Sequence, residues 1–133
     1  MGPDAPDNRE NNPDDLLMNT QVDAEVAGLL RASCYDCHSM ETKYPWYSKI
    51  SPVSGFLFDH IEEGRDELNF SNWQTYEKRR KLRKLKEIQE EIEEGEMPMK
   101  SYTLVHGEAR LSDSQKELII NWAKDYSKKV FSE

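Results

Sequence analysis

Apolar residues recur along this chain at intervals of three and four, the period of helices that bury one face. The first such run follows Asp23, a suitable N-cap, and places Val26, Leu29, Leu30, Ser33, Cys34 and Cys37 on one stripe. A second is announced by Ser51-Pro52, a cap followed by proline at the first helical position. It carries Val53, Phe56, Leu57, His60 and Ile61, with Gly64 as its expected stop. His60 on that stripe reads as a satisfied, partly buried histidine rather than a second metal ligand. A third run starts at Ser71-x-x-Gln74, the pattern of a capping box with Phe70 before it, and continues to Glu94 with Leu82, Leu85, Ile88 and Ile92 as its inner edge. The last begins at a second capping box, Ser112-x-x-Gln115, and carries Leu118, Ile119, Trp122, Ala123, Tyr126 and Val130 down one face. The expectation is an all-α domain of about four to five helices.

Two stretches lie outside this pattern. Residues 1–22 are rich in Pro, Asp and Asn, with five acids (Asp4, Asp7, Glu10, Asp14, Asp15) against Arg9. They read as an acidic tail or tether, largely disordered to about residue 14, with Leu16–Met18 as the part able to lie against a domain spanning 23–133. Ser39–Ser51 is a loop crowded with Tyr44, Pro45, Trp46 and Tyr47. It can be a self-packed loop or the wall of a ligand pocket.

Charge changes the picture in two ways. The third run is segregated: Lys78, Arg79, Arg80, Lys81, Arg83, Lys84 and Lys86 precede Glu87, Glu90, Glu91, Glu93 and Glu94. That order opposes the helix dipole, so a break around residues 76–81 is expected to relieve it by placing cations near a C-terminus. The run reads as a solvated face, with a docking patch for an acidic partner as the alternative. Over the whole chain the net charge is −8 and the pI near 5.0, which argues against nucleic acid or an anionic membrane surface as partner. No apolar run approaches the roughly 18 residues of a membrane span, and Met1-Gly2-Pro3-Asp4 does not open a signal peptide.

The candidate chemistry is concentrated in Cys34-Tyr35-Asp36-Cys37-His38. Two cysteines three apart followed at once by histidine is the attachment pattern of a covalently held c-type haem. Residues three apart share a helical face, so both thiols can add to one porphyrin edge, and the next residue can bring an imidazole beneath the iron. With two cysteines and three histidines in 133 residues, chance produces this arrangement about once in three thousand sequences. A zinc site remains an alternative, though it wants four ligands and the chain offers one Cys pair and the scattered His38, His60 and His106. A dithiol redox motif and a structural disulfide also remain, the first without a preceding strand and the second leaving His38 without a role. Charged residues make up 33% and hydrophobic ones 36%, a low apolar content that a buried porphyrin would supplement.

A methionine at a helix end before proline is a suitable distal ligand, because proline stiffens the loop that presents the thioether. Gly95-Glu96-Met97-Pro98-Met99 supplies one, so Met97 is the expected distal iron ligand and Met99 the alternative. Tyr44 and Trp46 are candidate pocket residues, with Trp46, Tyr44 or Lys43 able to bond a propionate. A helix before the haem motif, a methionine-bearing loop to about Leu111 and an amphipathic terminal helix make the layout of a small cytochrome c, in which the first and last helices cross and pack together.

Taken together, Cys34-Tyr35-Asp36-Cys37-His38-Ser39, Glu41-Thr42, Pro45-Trp46-Tyr47, Ile50, Pro52-Val53-Ser54, Gly95-Glu96-Met97-Pro98 and Ser101-Tyr102 resemble the bacterial haem-binding domain family of cytochrome c-like proteins. The resemblance spans about residues 26–125. It implies an all-α cytochrome c-like fold around one covalent haem c, with Cys34 and Cys37 attaching it, His38 as proximal and Met97 as distal iron ligand, and Tyr102 as a further pocket candidate. It also implies a periplasmic or envelope-tethered protein, so a leader or anchor is expected to have been removed from the chain. The expected function is electron transfer to a redox partner protein or a fused membrane enzyme, not catalysis. A haem-based sensor or peroxidase-like domain with a displaceable distal ligand is the alternative.

Overall fold

A computed structural model describes residues 5–9, 12–42, 44, 53–98, 103 and 106–133, all helical or irregular, with no strand among them. The helices are α1 (Leu16–Asn19), α2 (Ala24–Ser33), α3 (Tyr35–His38), α4 (Val53–Glu67), α5 (Lys78–Glu93) and α6 (Asp113–Phe131). Short 3-10 segments, Phe70–Thr75 and Gly107–Ala109, join α4 to α5 and precede α6. The all-α expectation holds.

Local signals account for several boundaries. Asp23 caps α2 by accepting from the Glu25 amide. At the start of α6 the capping box forms in both directions: the Ser112 hydroxyl accepts from the Gln115 amide, and the Gln115 side chain accepts from the Ser112 amide. Gly95 ends α5 at a φ of 75°, a conformation that glycine adopts without Cβ strain. The Glu96 amide then bonds the Glu91 carbonyl and the Gly95 amide bonds that of Ile92, which is the Schellman pairing.

Five expectations are corrected. The first run is two helices, because the backbone turns at Cys34 (φ −125°, ψ −40°) between α2 and α3. Among the described side chains of α4 the buried ones are Phe58 and Ile61, while Phe56 is 70% exposed and His60 is exposed, so the buried stripe is rotated from the one expected. That helix also runs through Gly64 to Glu67, since glycine there serves a close contact rather than a stop. Ser71 caps nothing: Asn69 accepts from the Ser71 amide, while the Ser71 hydroxyl accepts from the Met40 amide. A break does occur at Tyr76–Glu77, but α5 then begins at Lys78, so the cations lie at a helix N-terminus and the conflict with the dipole stands.

The main core is built on aromatic residues. Trp73 is fully buried, donates its indole N–H to the Tyr126 hydroxyl at 2.9 Å, and packs edge-on to Tyr76 and Tyr126. Phe70 stacks on Tyr35 with centroids 5.2 Å apart. Around them gather Leu16, Val26, Leu30, Leu68, Leu85, Ile92, Leu111, Ile119, Ala123 and Val130. The most extensive helix packing is α5 on α6, and α2 also packs on α6, as expected for first and last helices. α4 instead packs on α3, with Phe58 and Ile61 outside the main cluster.

The acidic N-terminal segment, expected as a tether, lies against this body. Asn8 exchanges two hydrogen bonds with the Thr42 backbone, the Arg9 amide bonds the Met40 carbonyl, and the Asp14 carbonyl accepts from the Gln74 amide. Leu16 is fully buried in the core, and Asp15 beside it is also buried, accepting from the Leu17 amide and from the Tyr35 hydroxyl at 2.9 Å. Side-chain carboxamides and buried acids here find specific partners, which composition alone does not reveal.

Burial, and then the charge of Asp15, push the Tyr35 hydroxyl well above the usual tyrosine range, so it stays protonated and donates. Tyr35→Phe removes a hydrogen bond to a buried carboxylate and is expected to lower stability by about 1.5–3 kcal/mol. Tyr44→Phe, whose hydroxyl donates to the Pro6 carbonyl at 2.6 Å, is expected to cost less than about 1 kcal/mol. Urea unfolding of the two variants checks the order; equal midpoints would contradict it.

Candidate functional site

The segment 33–42 is held on every side. The Cys37 and His38 amides both bond the Cys34 carbonyl, closing the turn that makes α3. Ser33 donates to the Ala109 carbonyl, and Ser39 donates to the Tyr35 carbonyl while accepting from the Glu41 amide. Arg65, on α4, donates to the Ser39 carbonyl, the Asp7 carbonyl, the Asn8 side chain and the Thr42 hydroxyl. One guanidinium thus fastens the loop after the motif to both α4 and the N-terminal segment.

Gly64 sets the distance between α3 and α4. A Cβ there would lie 2.6 Å from the Cys37 carbonyl oxygen and 3.1 Å from its Cβ, so only glycine permits this approach. The approach brings His38 Nδ1 to 2.8 Å from the Gly64 carbonyl and 3.0 Å from that of Leu68. Both partners can only accept, so Nδ1 carries the proton. Burial is the main influence on the imidazole and lowers its pKa, which keeps the ring neutral and leaves Nε2 with a free lone pair. A neutral ring oriented by backbone carbonyls is the state a metal-ligating histidine requires.

The thiols are also neutral. Burial, with Cys37 adding, pushes Cys34 up to about 12; burial, with Asp36 adding, pushes Cys37 up to about 11. This environment disfavours the thiolate on which zinc binding and disulfide exchange depend. The two cysteines are free, and among the described residues no group of three or more His, Cys, Asp or Glu is placed to hold a metal ion.

Met97 meets the motif across a cavity. After the Gly95 reversal the Met97 amide bonds the Glu91 carbonyl, which holds the segment against the end of α5. A cavity of about 300 Å³ is lined by Cys34, His38, Met97, Pro98, the apolar side chains Leu30, Leu68, Phe70, Ile88, Ile92 and Leu111, and the charged Glu67, Lys84, Glu87 and Glu91. A second, of about 190 Å³, is lined by Cys37, His38, His60, Glu63, Met97 and Pro98. The two share Ser33, His38, Glu67, Met97 and Pro98, with one cysteine on each. The space is mostly apolar and presents the His38 and His60 imidazoles, a thioether and two thiols.

The sequence profile of the family described as the haem-binding domain matches residues 3–125. The chain belongs to this haem-binding domain family. Comparison with curated proteins and with solved structures gave no match. The haem-binding domain therefore binds haem, and the space between motif and methionine fits it: apolar walls for the macrocycle, a neutral imidazole, and thiols beside it.

The structure brings Cys34, Cys37, His38 and Met97 together. Tyr44 packs edge-on to Phe58 and bonds the Pro6 carbonyl, and it is not among the residues lining these two cavities. Trp46, Lys43, Tyr102 and Met99 lie outside the described residues. Sequence reading missed the inward cation Lys84, which is 6% exposed on the cavity wall and paired with Glu87 at 3.2 Å and Glu67 at 3.7 Å. Counting by helical period from Leu85 and Ile88 would have placed it on the inner edge. The contact role of Gly64 had no signal in its neighbours, because its partner, Cys37, is remote in sequence.

Gly64→Ala is expected to push α4 off α3, weaken the His38 hydrogen bonds, lower haem per chain and cost about 1–3 kcal/mol. Gly28→Ala, where nothing stands within 4 Å of an added Cβ, is expected to raise stability by about 0.5–1 kcal/mol. Haem content and thermal unfolding of the two proteins test the contrast, and a Gly64→Ala protein as stable and as fully loaded as wild type would refute it.

Proposed function

We propose that this domain is a c-type cytochrome: an electron carrier, not an enzyme, with one haem held covalently by Cys34 and Cys37 and its iron ligated by His38 and Met97. The observation that carries the proposal is the convergence of these four side chains on one apolar space, Cys34 and Cys37 each beside His38. Haem supplies a one-electron couple when bound. The chain's own residues do the rest. The Gly64 and Leu68 carbonyls fix the tautomer and direction of His38, and their acceptance of its proton increases the basicity of Nε2. Met97, held by its amide and followed by Pro98, presents a neutral thioether at little entropic cost. The apolar walls exclude water, and a thioether ligand in such surroundings favours the reduced state. Covalent attachment suits a protein working outside the cytoplasm, so we assign it to the periplasm or to an envelope tether, serving a redox partner protein or a fused membrane enzyme.

Two measurements test this. Haem is expected to remain with the chain after denaturation and acid–acetone extraction, and the mass of the chain to include it; loss of all colour would refute covalent attachment. The oxidised protein is expected to be low-spin with a weak sulfur-to-iron charge-transfer band that Met97→Ala abolishes and Met99→Leu leaves intact. Met97→Ala is expected to bind carbon monoxide readily, and wild type slowly or not at all. A high-spin wild type that binds carbon monoxide at once and turns over peroxide would replace the electron carrier by a sensor or peroxidase-like domain.

A further inference from the structure

α5 joins two features that the haem site does not use. Its first nine residues, 78–86, hold seven cations and no acid in a chain whose net charge is −8. They occupy a helix N-terminus, where the dipole favours acids; no acid stands in the first turn, and the N-cap Glu77 makes no side-chain capping bond. This arrangement works against the stability of the helix.

The cations are only partly paired within the fold: Lys84 holds two carboxylates, and Lys78 donates to the Glu133 carbonyl oxygen at 2.7 Å. Arg83 and Lys86 have long pairs one turn on, each at 3.9 Å, with Glu87 and Glu90. Among the described residues, Lys78, Arg79, Arg80 and Lys81 have no carboxylate side chain within 4 Å. Lys78, Arg79 and Arg80 are exposed, and the Arg80 guanidinium is held over the Tyr76 ring, 4.3 Å from its centroid. The patch borders the haem space: one turn after Arg80, Lys84 turns inward onto the cavity wall, followed by Glu87 and Ile88.

We propose that the basic first half of α5 is a docking surface for an acidic electron-transfer protein, which it seats at the rim of the haem cavity; this rests on the electron-carrier reading above. The partner's recognition chemistry is a carboxylate-rich surface. The exposed residues of the run are cations, and the apolar surface beside them is the exposed Phe131 ring under the Lys78 ammonium. A surface dominated by charge gives a complex that is weak, formed quickly and sensitive to salt, as a transient electron exchange requires. The acidic second half of α5 on another copy of the chain is the competing occupant.

Hexacyanoferrate(III), an anionic oxidant, distinguishes a local basic patch from the overall negative charge. One electron passes from the reduced, haem-loaded protein to hexacyanoferrate(III), giving hexacyanoferrate(II) and the oxidised protein. A net charge of −8 acting alone makes this reaction faster as salt is added; a basic patch at the haem rim makes it slower. We expect slowing of at least tenfold between low and high salt, followed by stopped flow. Arg79→Gln with Arg80→Gln should reduce the low-salt rate constant at least fivefold with spectrum and reduction potential unchanged. Gln21→Glu with Ala24→Glu, which makes the same change in net charge at exposed sites on and before α2, should alter it less than twofold. Polyglutamate should inhibit the wild type at low salt and not the arginine variant. If the reaction speeds up with salt, or both double variants behave alike, the docking surface is refuted and the electron carrier stands. A dimer in sedimentation that the arginine variant dissolves would assign the patch to a second copy instead. Failure of hexacyanoferrate to oxidise the reduced protein at any salt would overturn the electron carrier itself, and the docking surface with it.

Discussion

The contact between α3 and α4 at Gly64 is the constraint on which the site depends. Without a side chain at 64, the Cys37 backbone approaches α4 closely enough for His38 to donate to two carbonyls near the end of that helix. Those bonds decide which imidazole nitrogen remains open. Arg65, the next residue, ties the following loop to the same helix, so one turn of α4 sets both the depth of the motif and the path of the chain leaving it.

Around that contact the molecule divides its apolar content. The core centred on Trp73 and Phe70 packs α2, α5 and α6 against the buried N-terminal segment. The haem space lies at the margin of this core, between it and the α3–α4 pair, and borrows Leu30, Leu68, Phe70, Ile92 and Leu111 from it. A chain with 36% hydrophobic residues can thus build one aromatic-rich core and leave a second apolar surface for haem to complete. Buried polar residues are tolerated where they find specific partners: Asp15 Oδ1 accepts from the Leu17 amide and the Tyr35 hydroxyl, and Ser39 bonds the Tyr35 carbonyl and the Glu41 amide.

α5 faces both electrostatic and apolar demands. Leu85, Ile88 and Ile92 bind it to the core and cavity, while its charges run from basic to acidic along its length. Lys84 is the one member of the basic run among the cavity-lining residues, and its carboxylate partners come from α4 and from its own next turn. A buried ammonium needs such partners, because its desolvation is otherwise too costly to hold it at a cavity wall.

The chain's local chemistry alone determined its helical class, the Asp23 and Ser112 caps, the Gly95 stop and the haem motif, because each depends on residues within one or two turns of one another. The inner edges of α5 and α6 were legible for the same reason: a helical period needs no partner to be counted. Tertiary structure alone decided the passage of α4 through Gly64, the burial of Asp15, and the contacts of Tyr44. In each case the deciding partner is distant in sequence: Gly64 answers to Cys37, Asp15 to Tyr35, and Tyr44 to Pro6 and Phe58. Ser71 shows the difference most directly. Its pattern satisfied the local rule for a cap, but its hydroxyl bonds Met40, because in the folded chain the backbone following the haem motif needs that acceptor and the 3-10 turn already has Asn69.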